Sequence, residues 1–288
     1  MALLDALGGE VAALDFQKLL FLFCHEVEET PSYSFVPYRF GAFSFTSYAD
    51  KRRMIAAGLL GDDERTWRLT KAGSTAVSMA AGAPKGTEQF VKRHSNLRGN
   101  ALIRETYLRY PYYAIRSKVV NRLRLDPEAV SRIRAACPTT GGSSLLTIGY
   151  EARNLEEYLN LLVRAGVTLL CDVRRNPLSR KYGFAKNTLD RACQGVEIRY
   201  EHLPELGISS QERRGLETQA DYDALFAAYR RDVLPNQTVA LTKIRDWTDG
   251  GERVALTCYE KLPEQCHRHC VAEEVKSKSR RFHEVTHL

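Results

Sequence analysis

Residues 145–173 read LLTIGYEARNLEEYLNLLVRAGVTLLCDV, and this stretch decides the fold of the C-terminal half. The apolar run 145–150 predicts a buried strand, and Asn154 is placed to cap a helix whose apolar side chains recur at helical spacing until Gly166. Residues 167–173 predict a second buried strand. Strand, helix and apolar strand in this order are typical of a parallel sheet covered by helices on both faces.

The same alternation continues towards the C-terminus. Further strands are predicted over residues 197–200 and 253–257, and helices over residues 187–193, 221–233, 237–247 and 265–276. We therefore predict an α/β fold for residues 145–288, a Rossmann-like parallel sheet covered by helices. Residues 138–144, with the sequence PTTGGSS, form the clearest linker and separate this domain from a mainly helical N-terminal half.

Residues 1–84 carry the pattern of a small winged-helix-like domain. Asp15 is placed to cap a first helix, and residues 47–57 predict a second helix on which Lys51 points at least partly outward. Residues 58–70 follow as a strand, an acidic tip and a return strand, which resembles the hairpin that ends a winged helix. Residues 15–73 are also similar to the small helical domain of some antitoxins and phage-associated proteins. A purely structural or dimerising domain is the alternative.

The net charge of +7 is unevenly distributed along the chain. Residues 85–134 contain twelve Lys and Arg against four Asp and Glu, and four tyrosines, including Tyr107, lie among them. Basic side chains neutralise phosphates and tyrosines stack on bases, so residues 85–137 are predicted to be a basic helical segment that binds nucleic acid, with DNA as the leading partner. A solvated helical face is the alternative. The predicted nucleic-acid-binding residues are Arg52, Arg53, Lys92, Arg93, Arg98, Arg116, Lys118, Arg175, Arg180 and Lys181.

Composition also excludes several classes of protein. No apolar run approaches the roughly 20 residues of a membrane-spanning helix, and the first residues, MALLD, lack the basic start of a secretory signal. Seven cysteines without close paired spacing do not form a disulfide framework. We expect a reduced cytoplasmic protein without a cofactor or membrane contact, whereas the oligomeric state is left open.

Four motifs in the C-terminal half carry a family resemblance. They are TIGYEARNLEEYL at 147–159, CDVRRNPLSRKYGF at 171–184, YEHLPELGI at 200–208 and LTCYEKLPEQCHR at 256–268. Together they resemble the domain-of-unknown-function 488 family over residues 145 to about 275. The resemblance implies an α/β domain, and Tyr150 stands where many members of the family have histidine. A fold of this kind does not specify an activity, so function is argued from the site.

The candidate site lies where the predicted strands end. Tyr150, Asp172, Arg174 and Glu260 follow strand ends, which meet at one edge of a parallel sheet. Two carboxylates beside Arg and Tyr resemble the groups that cleave glycosidic bonds. The preferred hypothesis is therefore a hydrolase, a DNA glycosylase that removes a modified or damaged base from a flipped nucleotide in repair or phage defence. The predicted catalytic residues are Asp172, Glu260, Tyr150, Arg174, His267 and Arg268.

Within this hypothesis the acidic and the basic side chains of the site have different roles. Asp172 or Glu260 activates water or stabilises the sugar cation, whereas Arg174 and His267 stabilise the leaving group or a phosphate. The non-enzymatic alternative is a regulator whose C-terminal domain senses a nucleotide or small anion and whose N-terminal domain binds DNA. It predicts sequence-specific binding without turnover, whereas an enzyme predicts broad and strongly salt-dependent binding.

Two further alternatives involve the cysteines. Cys258 ends a strand and faces a helix N-terminus, which favours a sulfur-transfer or phosphatase-like reaction, but Glu260 is expected to raise the pKa of that thiol. The spacing fits no standard zinc pattern, and we assign no metal ligand. A partial metal site nevertheless remains an alternative, since Cys266 and Cys270 share a face if both are helical. Its candidate ligands are Cys258, Cys266, His267, His269 and Cys270.

Overall fold

The computed structural model describes residues 1–80, 82–138, 144–209, 211–279 and 284–288. Internal contacts divide the chain into an N-terminal unit, Met1–Cys137, and a C-terminal unit, Pro138–Leu288. The basic segment predicted at 85–137 lies inside the N-terminal unit, where Phe90 and Leu102 belong to the same buried cluster as the first helices. Of the predicted linker, residues 139–143 lie outside the described residues.

The N-terminal unit is mainly helical. Its helices are α1 (Ala2–Ala6), α2 (Ala13–Glu26), α3 (Phe45–Ala56), α4 (Lys71–Met79), α5 (Thr87–His94), α6 (Gly99–Arg109) and α7 (Pro127–Ala135). Short strands β1 (Glu10–Ala12) and β4 (Thr66–Arg68) pair antiparallel, as do β2 (Val36–Tyr38) and β3 (Gly41–Phe43). The predicted hairpin is present only as a single bridge, between Leu60 and Leu69, and its return strand β4 pairs instead with β1. The sequence had not predicted that β1 would form.

Three expectations for this unit were wrong. Asp15 does not cap a helix, because α2 already begins at Ala13 and the Asp15 carboxylate accepts a hydrogen bond from the Gly99 amide at 2.7 Å. Lys51 is buried rather than outward, and its ammonium donates to the carbonyls of Asp63 and Thr66. Tyr107 is 1% exposed, so it cannot stack on a nucleotide.

The basic residues proposed to contact nucleic acid have different surroundings. Arg52, Arg53, Lys92, Arg98 and Lys118 are exposed, whereas Arg116 is half-buried. Arg93 is exposed and pairs with Glu26 at 3.0 Å, which reduces its charge towards solvent. The surface of this unit therefore retains the cations that a phosphate backbone would need.

Lys18 lies in the core of the N-terminal unit and makes its stability depend on pH. The side chain is 1% exposed, its ammonium donates to the Ala42 carbonyl at 2.6 Å, and burial lowers its pKa from 10.5 to about 7, against an opposing effect of Asp15. Between these two pH values the unfolded chain binds a proton that the folded chain does not. We therefore expect the free energy of unfolding to rise with pH from 7 towards 10.5.

Urea unfolding at pH 7 and pH 9.5, followed by Trp67 fluorescence in a Trp247→Phe background, measures this dependence. Lys18→Met should reduce this rise, whereas Lys92→Met at the exposed surface should leave it intact. An equal rise in stability for the parent and for Lys18→Met would rule out Lys18 as its source.

The C-terminal unit is a parallel sheet flanked by helices, which confirms the predicted α/β, Rossmann-like class. The sheet order is β7-β6-β8-β5-β9, with every neighbouring pair parallel. Its strands are β5 (Leu145–Gly149), β6 (Leu169–Asp172), β7 (Arg199–His202), β8 (Val254–Cys258) and β9 (Val285–His287). Its helices are α8 (Leu155–Arg164), α9 (Lys186–Gly195), α10 (Gln219–Ala228), α11 (Thr238–Asp249) and α12 (Arg268–Lys278).

Both faces of the sheet are covered. On one face Tyr158 of α8 donates a hydrogen bond to Thr257 of β8 at 2.7 Å, and on the other Leu256 packs with Ile244 of α11 and Val271 of α12. The predicted cap of α8 is confirmed, because Asn154 forms a capping box with Glu157. Among the described helices, none is long and apolar enough to cross a membrane.

The helix predicted over residues 265–276 begins later than expected. Pro263–Gln265 form a single 3-10 turn and Cys266 is extended, with φ −139° and ψ 131°, so α12 starts only at Arg268. Cys266 and Cys270 therefore do not share a helical face, and the spacing argument based on that face was wrong. The late start leaves Cys266 and His267 in the turn between β8 and α12.

Candidate functional site

A cavity of about 310 Å³ is formed where the parallel strands end. It is lined by Tyr150 after β5, by Arg174, Arg175 and Asn176 after β6, by Ile208, Ser209 and Arg213 after β7, by Cys258 and Tyr259 at the end of β8, and by His267 before α12. This edge is where open α/β sheets bind their ligands. Of the four residues predicted to converge there, Tyr150 and Arg174 line the cavity, whereas Asp172 and Glu260 are not among its lining residues.

Asp172 is buried beneath this cavity rather than lining it. It is 0% exposed, and its carboxylate accepts hydrogen bonds from Arg174 Nε at 2.8 Å and from Arg174 Nη2 at 2.5 Å. Tyr200 adds a hydrogen bond from its hydroxyl at 2.6 Å, and burial together with the Asp172 charge raises the pKa of that hydroxyl. Both carboxylate oxygens are occupied, so Asp172 fixes Arg174 in place.

Arg174 and Tyr150 form the wall that Asp172 supports. Arg174 Nη1 donates to the Tyr150 hydroxyl at 3.0 Å and to the Phe184 carbonyl at 2.9 Å. The Tyr150 ring stacks on Phe184 with centroids 4.4 Å apart, and the guanidinium lies 5.1 Å from the Tyr150 ring centroid. These contacts hold both side chains in one orientation, so the wall they form is preorganised.

Glu260 is the carboxylate nearest to the reactive side chains of the cavity. It is 8% exposed and forms an ion pair with Arg213, which itself lines the cavity. Glu260 Oε2 also lies 3.5 Å from Cys258 Sγ. Arg213 and Glu260 therefore place opposite charges side by side at the cavity.

Cys258, Cys266 and His267 form a buried cluster beside Glu260. Their sulfur atoms and a ring nitrogen lie within 4.8 Å of one another, and the distance from Cys258 Sγ to His267 Nδ1 is 3.9 Å. The hydrogen bond from Cys266, together with His267 and Arg213, lowers the pKa of the Cys258 thiol, whereas burial raises that of Cys266. The net shift in the pKa of Cys258 is therefore opposite to the one expected from Glu260, because Cys266, His267 and Arg213 lower it.

The orientation of the His267 ring is fixed from outside the cluster. His267 Nε2 lies 3.0 Å from the carbonyl oxygen of Val173, which can only accept, so Nε2 carries the proton. The Nδ1 atom is thereby directed at the two sulfurs. Since Val173 directly follows β6, the sheet itself sets the position of the imidazole.

Arg268 acts on the loop that carries Glu260. The side chain is 0% exposed, and its guanidinium donates to the carbonyls of Glu260 and Lys261, the second at 3.0 Å. The same loop packs directly against Gly149. Only glycine fits at this position, because a Cβ there would lie 1.8 Å from the Glu260 carbonyl oxygen. Arg268 is therefore a positioning residue, although the sequence had suggested a catalytic one.

The remaining predicted residues of this unit divide into two groups. Arg175 is exposed and lines the cavity, so it is available to a ligand. Arg180 is exposed outside the described lining, and Lys181 donates to the Tyr150 carbonyl at 2.9 Å. Lys181 therefore holds the backbone of Tyr150, a residue that lines the cavity.

Sequence reasoning missed Arg213 and Tyr200. Arg213 lies in the sequence SQERRG beyond the third strand, and its position after a strand end was the available signal. Tyr200 opens one of the four motifs, but nothing in a linear sequence shows that its hydroxyl meets Asp172. Both omissions concern contacts between different strand ends.

Comparison with known proteins finds one matching family model and no matching individual protein. Residues 154–275 match the model of the family described as "Domain of unknown function DUF488". No curated protein and no solved structure matches the chain. The matched residues contain Asp172, Arg213, Glu260 and the cysteine–histidine cluster, whereas Tyr150 precedes them.

Proposed function

We propose, from the premise that the C-terminal half contains a DUF488 domain, that this protein is a nucleic-acid-processing hydrolase that releases a modified or damaged base from DNA. One observation carries the proposal. The cavity is lined by the cation Arg175 and the aromatic side chain of Tyr259, and the Glu260 carboxylate is ion-paired with Arg213, which also lines it.

The lining of the cavity suits a nucleotide. Guanidinium groups bind phosphate oxygens through paired N–H donors, and the exposed Arg175 presents such a group, whereas the guanidinium of Arg213 is paired with Glu260. Tyr259 is 44% exposed and offers a ring on which a base can stack. An enzyme that acts on the sugar–base bond must take the nucleotide out of the duplex, and this cavity would receive it.

Glu260 is the residue to which we assign the chemistry. A carboxylate beside the scissile bond stabilises the developing sugar cation or accepts a proton from the attacking water. Glu260 is ion-paired but lies next to the cavity, whereas Asp172 is enclosed by Arg174 and Tyr200. We therefore assign Asp172 a positioning role and keep Glu260 as the catalytic carboxylate.

The exposed cations of the N-terminal unit would supply affinity for the DNA backbone. Arg52, Lys92, Arg98 and Lys118 can each neutralise a phosphate, whereas Arg53 is paired with Asp50 at 3.1 Å. Such phosphate contacts position DNA without reading its sequence. Binding by these residues would be broad and strongly dependent on salt. The choice of target would then rest with the cavity.

Mass spectrometry of the small molecules released from ordinary and base-modified phage DNA tests this function. We expect a free base from at least one modified substrate and a matching number of alkali-labile abasic sites in the DNA. DNA that is bound but loses no base would overturn the proposal and favour a regulator whose cavity senses a ligand. Whether damaged or phage DNA is the substrate would distinguish repair from phage defence.

A thiol-dependent reaction is the second candidate, because Cys258 is a lining residue of the cavity and its Sγ lies 3.9 Å from His267 Nδ1. Such a reaction would pass through a covalent adduct at sulfur. Intact-protein mass spectrometry during turnover would detect that adduct, and Cys258→Ala would eliminate it. Base release without an adduct would exclude this candidate.

A further inference from the structure

We propose that Cys258, Cys266 and His267 bind a zinc ion at the wall of the cavity. These three side chains come from the end of β8 and from the turn that precedes α12, and all three are buried. Their donor atoms, two sulfurs and one imidazole nitrogen, lie within 4.8 Å of one another. Of the five candidate ligands that the sequence offered, the structure therefore brings these three together.

The separation of the donors fits tetrahedral zinc. With Zn–S of about 2.3 Å and Zn–N of about 2.0 Å, a sulfur and a nitrogen ligand of one tetrahedral ion lie roughly 3.6 Å apart. The distance from Cys258 Sγ to His267 Nδ1 is 3.9 Å, so binding requires only a small adjustment. Two thiolates and an imidazole are soft and borderline donors, which favour zinc over magnesium or calcium.

The histidine is already oriented as a metal ligand. His267 donates from Nε2 to the Val173 carbonyl, which leaves the Nδ1 lone pair directed into the cluster. Histidine ligands are usually held in this way, with the second nitrogen bonded to a carbonyl or a carboxylate. A buried histidine in the core would need no such alignment with two sulfurs.

Other nearby donors do not join the cluster. Cys270 lies on α12, the helix that follows the cluster, and its sulfur is 3.4 Å from His269 Nε2. His269 in turn has its Nδ1 atom 2.7 Å from the Cys266 carbonyl, so this ring is engaged outside the cluster. Three protein ligands and one open position are the arrangement of catalytic rather than structural zinc.

The open position would face the cavity, because Cys258 and His267 both line it. A zinc ion there lowers the pKa of a bound water molecule and so provides a nucleophile near neutral pH. Glu260, whose Oε2 is 3.5 Å from Cys258 Sγ, is placed to accept the proton of that water. This catalytic role rests on the proposed function, whereas binding of the ion does not.

The test measures metal in the full-length protein. The chain is purified under reducing conditions, stripped with a chelator and exposed to Zn²⁺, and bound zinc is measured by inductively coupled plasma mass spectrometry. We expect about one zinc ion per chain, as for a single site. Cys258→Ser, Cys266→Ser and His267→Ala should each lower the content at least tenfold, whereas the matched control Cys270→Ser should keep it.

Two measurements on the wild-type chain keep the test valid if a variant fails to fold. Co²⁺ in place of zinc should give the thiolate-to-cobalt charge-transfer absorption of a cysteine-ligated site. Zinc should also slow alkylation of Cys258 and Cys266, mapped by peptide mass spectrometry, without slowing alkylation of the exposed Cys137.

Less than about a tenth of an equivalent of zinc would overturn the site. The site would also be overturned if Cys270→Ser lost as much zinc as the three ligand variants. A Cys258–Cys266 disulfide in a chain that takes up no metal would overturn it as well. Failure of the site and failure of the proposed function are distinguishable. Zinc bound without any base release supports the metal site and overturns the hydrolase, whereas base release by zinc-free protein supports the hydrolase and overturns the catalytic role of the ion.

Discussion

Glu260→Gln is expected to reduce base release by roughly 10²- to 10⁴-fold, the usual contribution of a positioned acid–base group. The substitution keeps the size of the side chain and removes the negative charge beside the cavity. Glutamine can neither accept a proton from water at neutral pH nor stabilise a sugar cation as a carboxylate does. Single-turnover assays on the substrate identified by mass spectrometry would measure the rate directly.

Glu264→Gln is the matched control for this substitution. Glu264 is exposed in the same turn and does not line the cavity. Its substitution by glutamine removes the same charge from the chain as Glu260→Gln does. We expect it to keep the parental rate. Full activity in Glu260→Gln would exclude Glu260 from the reaction, and an equal loss in Glu264→Gln would show that the effect is only one of net charge.

Asp172→Ala is expected to lower the free energy of unfolding of the C-terminal unit by about 3–5 kcal/mol, because breaking one side of a buried ion pair leaves the other charge uncompensated. Arg174 is 6% exposed and would lose the acceptor of both its Nε and its Nη2. The Tyr200 hydroxyl would lose its acceptor as well. Urea unfolding followed by far-ultraviolet circular dichroism measures the change.

A double substitution distinguishes the loss of the whole ion pair from the loss of only one of its two charges. In Asp172→Leu combined with Arg174→Met both charges are gone, and such replacements of buried pairs are often neutral or stabilising. We expect the double variant to recover most of the stability lost in Asp172→Ala, although the wall of the cavity would be altered. If Asp172→Ala were as stable as the parent but inactive, Asp172 would be a catalytic residue rather than a support for Arg174.

The fold of the C-terminal unit was predictable because its signals are local. Continuous apolar strands such as 145–149 are typical of strands that are buried on both faces. The capping box of Asn154 then marks the start of the next helix. The sequence also placed Tyr150, Asp172 and Glu260 at strand ends. It could not give the start of α12, because a 3-10 turn and an extended Cys266 depend on what the turn contacts.

Charge and burial were predicted less well in the N-terminal unit. A lysine such as Lys51 is normally solvated, and only the carbonyls of Asp63 and Thr66, from the segment leading into β4, make its burial possible. Tyr107 likewise fits a basic surface stripe by sequence, but its ring fills the core. Residue type alone does not show whether a polar group will find partners.

The sequence by itself determined the α/β class and the edge of the sheet at which polar side chains collect, because hydrophobic periodicity and strand ends are properties of neighbouring residues. Only the tertiary structure decided which of those side chains act together. The sheet order sets β6 between β7 and β8, which brings Tyr200 to Asp172 and His267 to the Val173 carbonyl. These contacts, like the ion pair of Arg213 with Glu260, join residues that are far apart in the chain, and no local pattern encodes them.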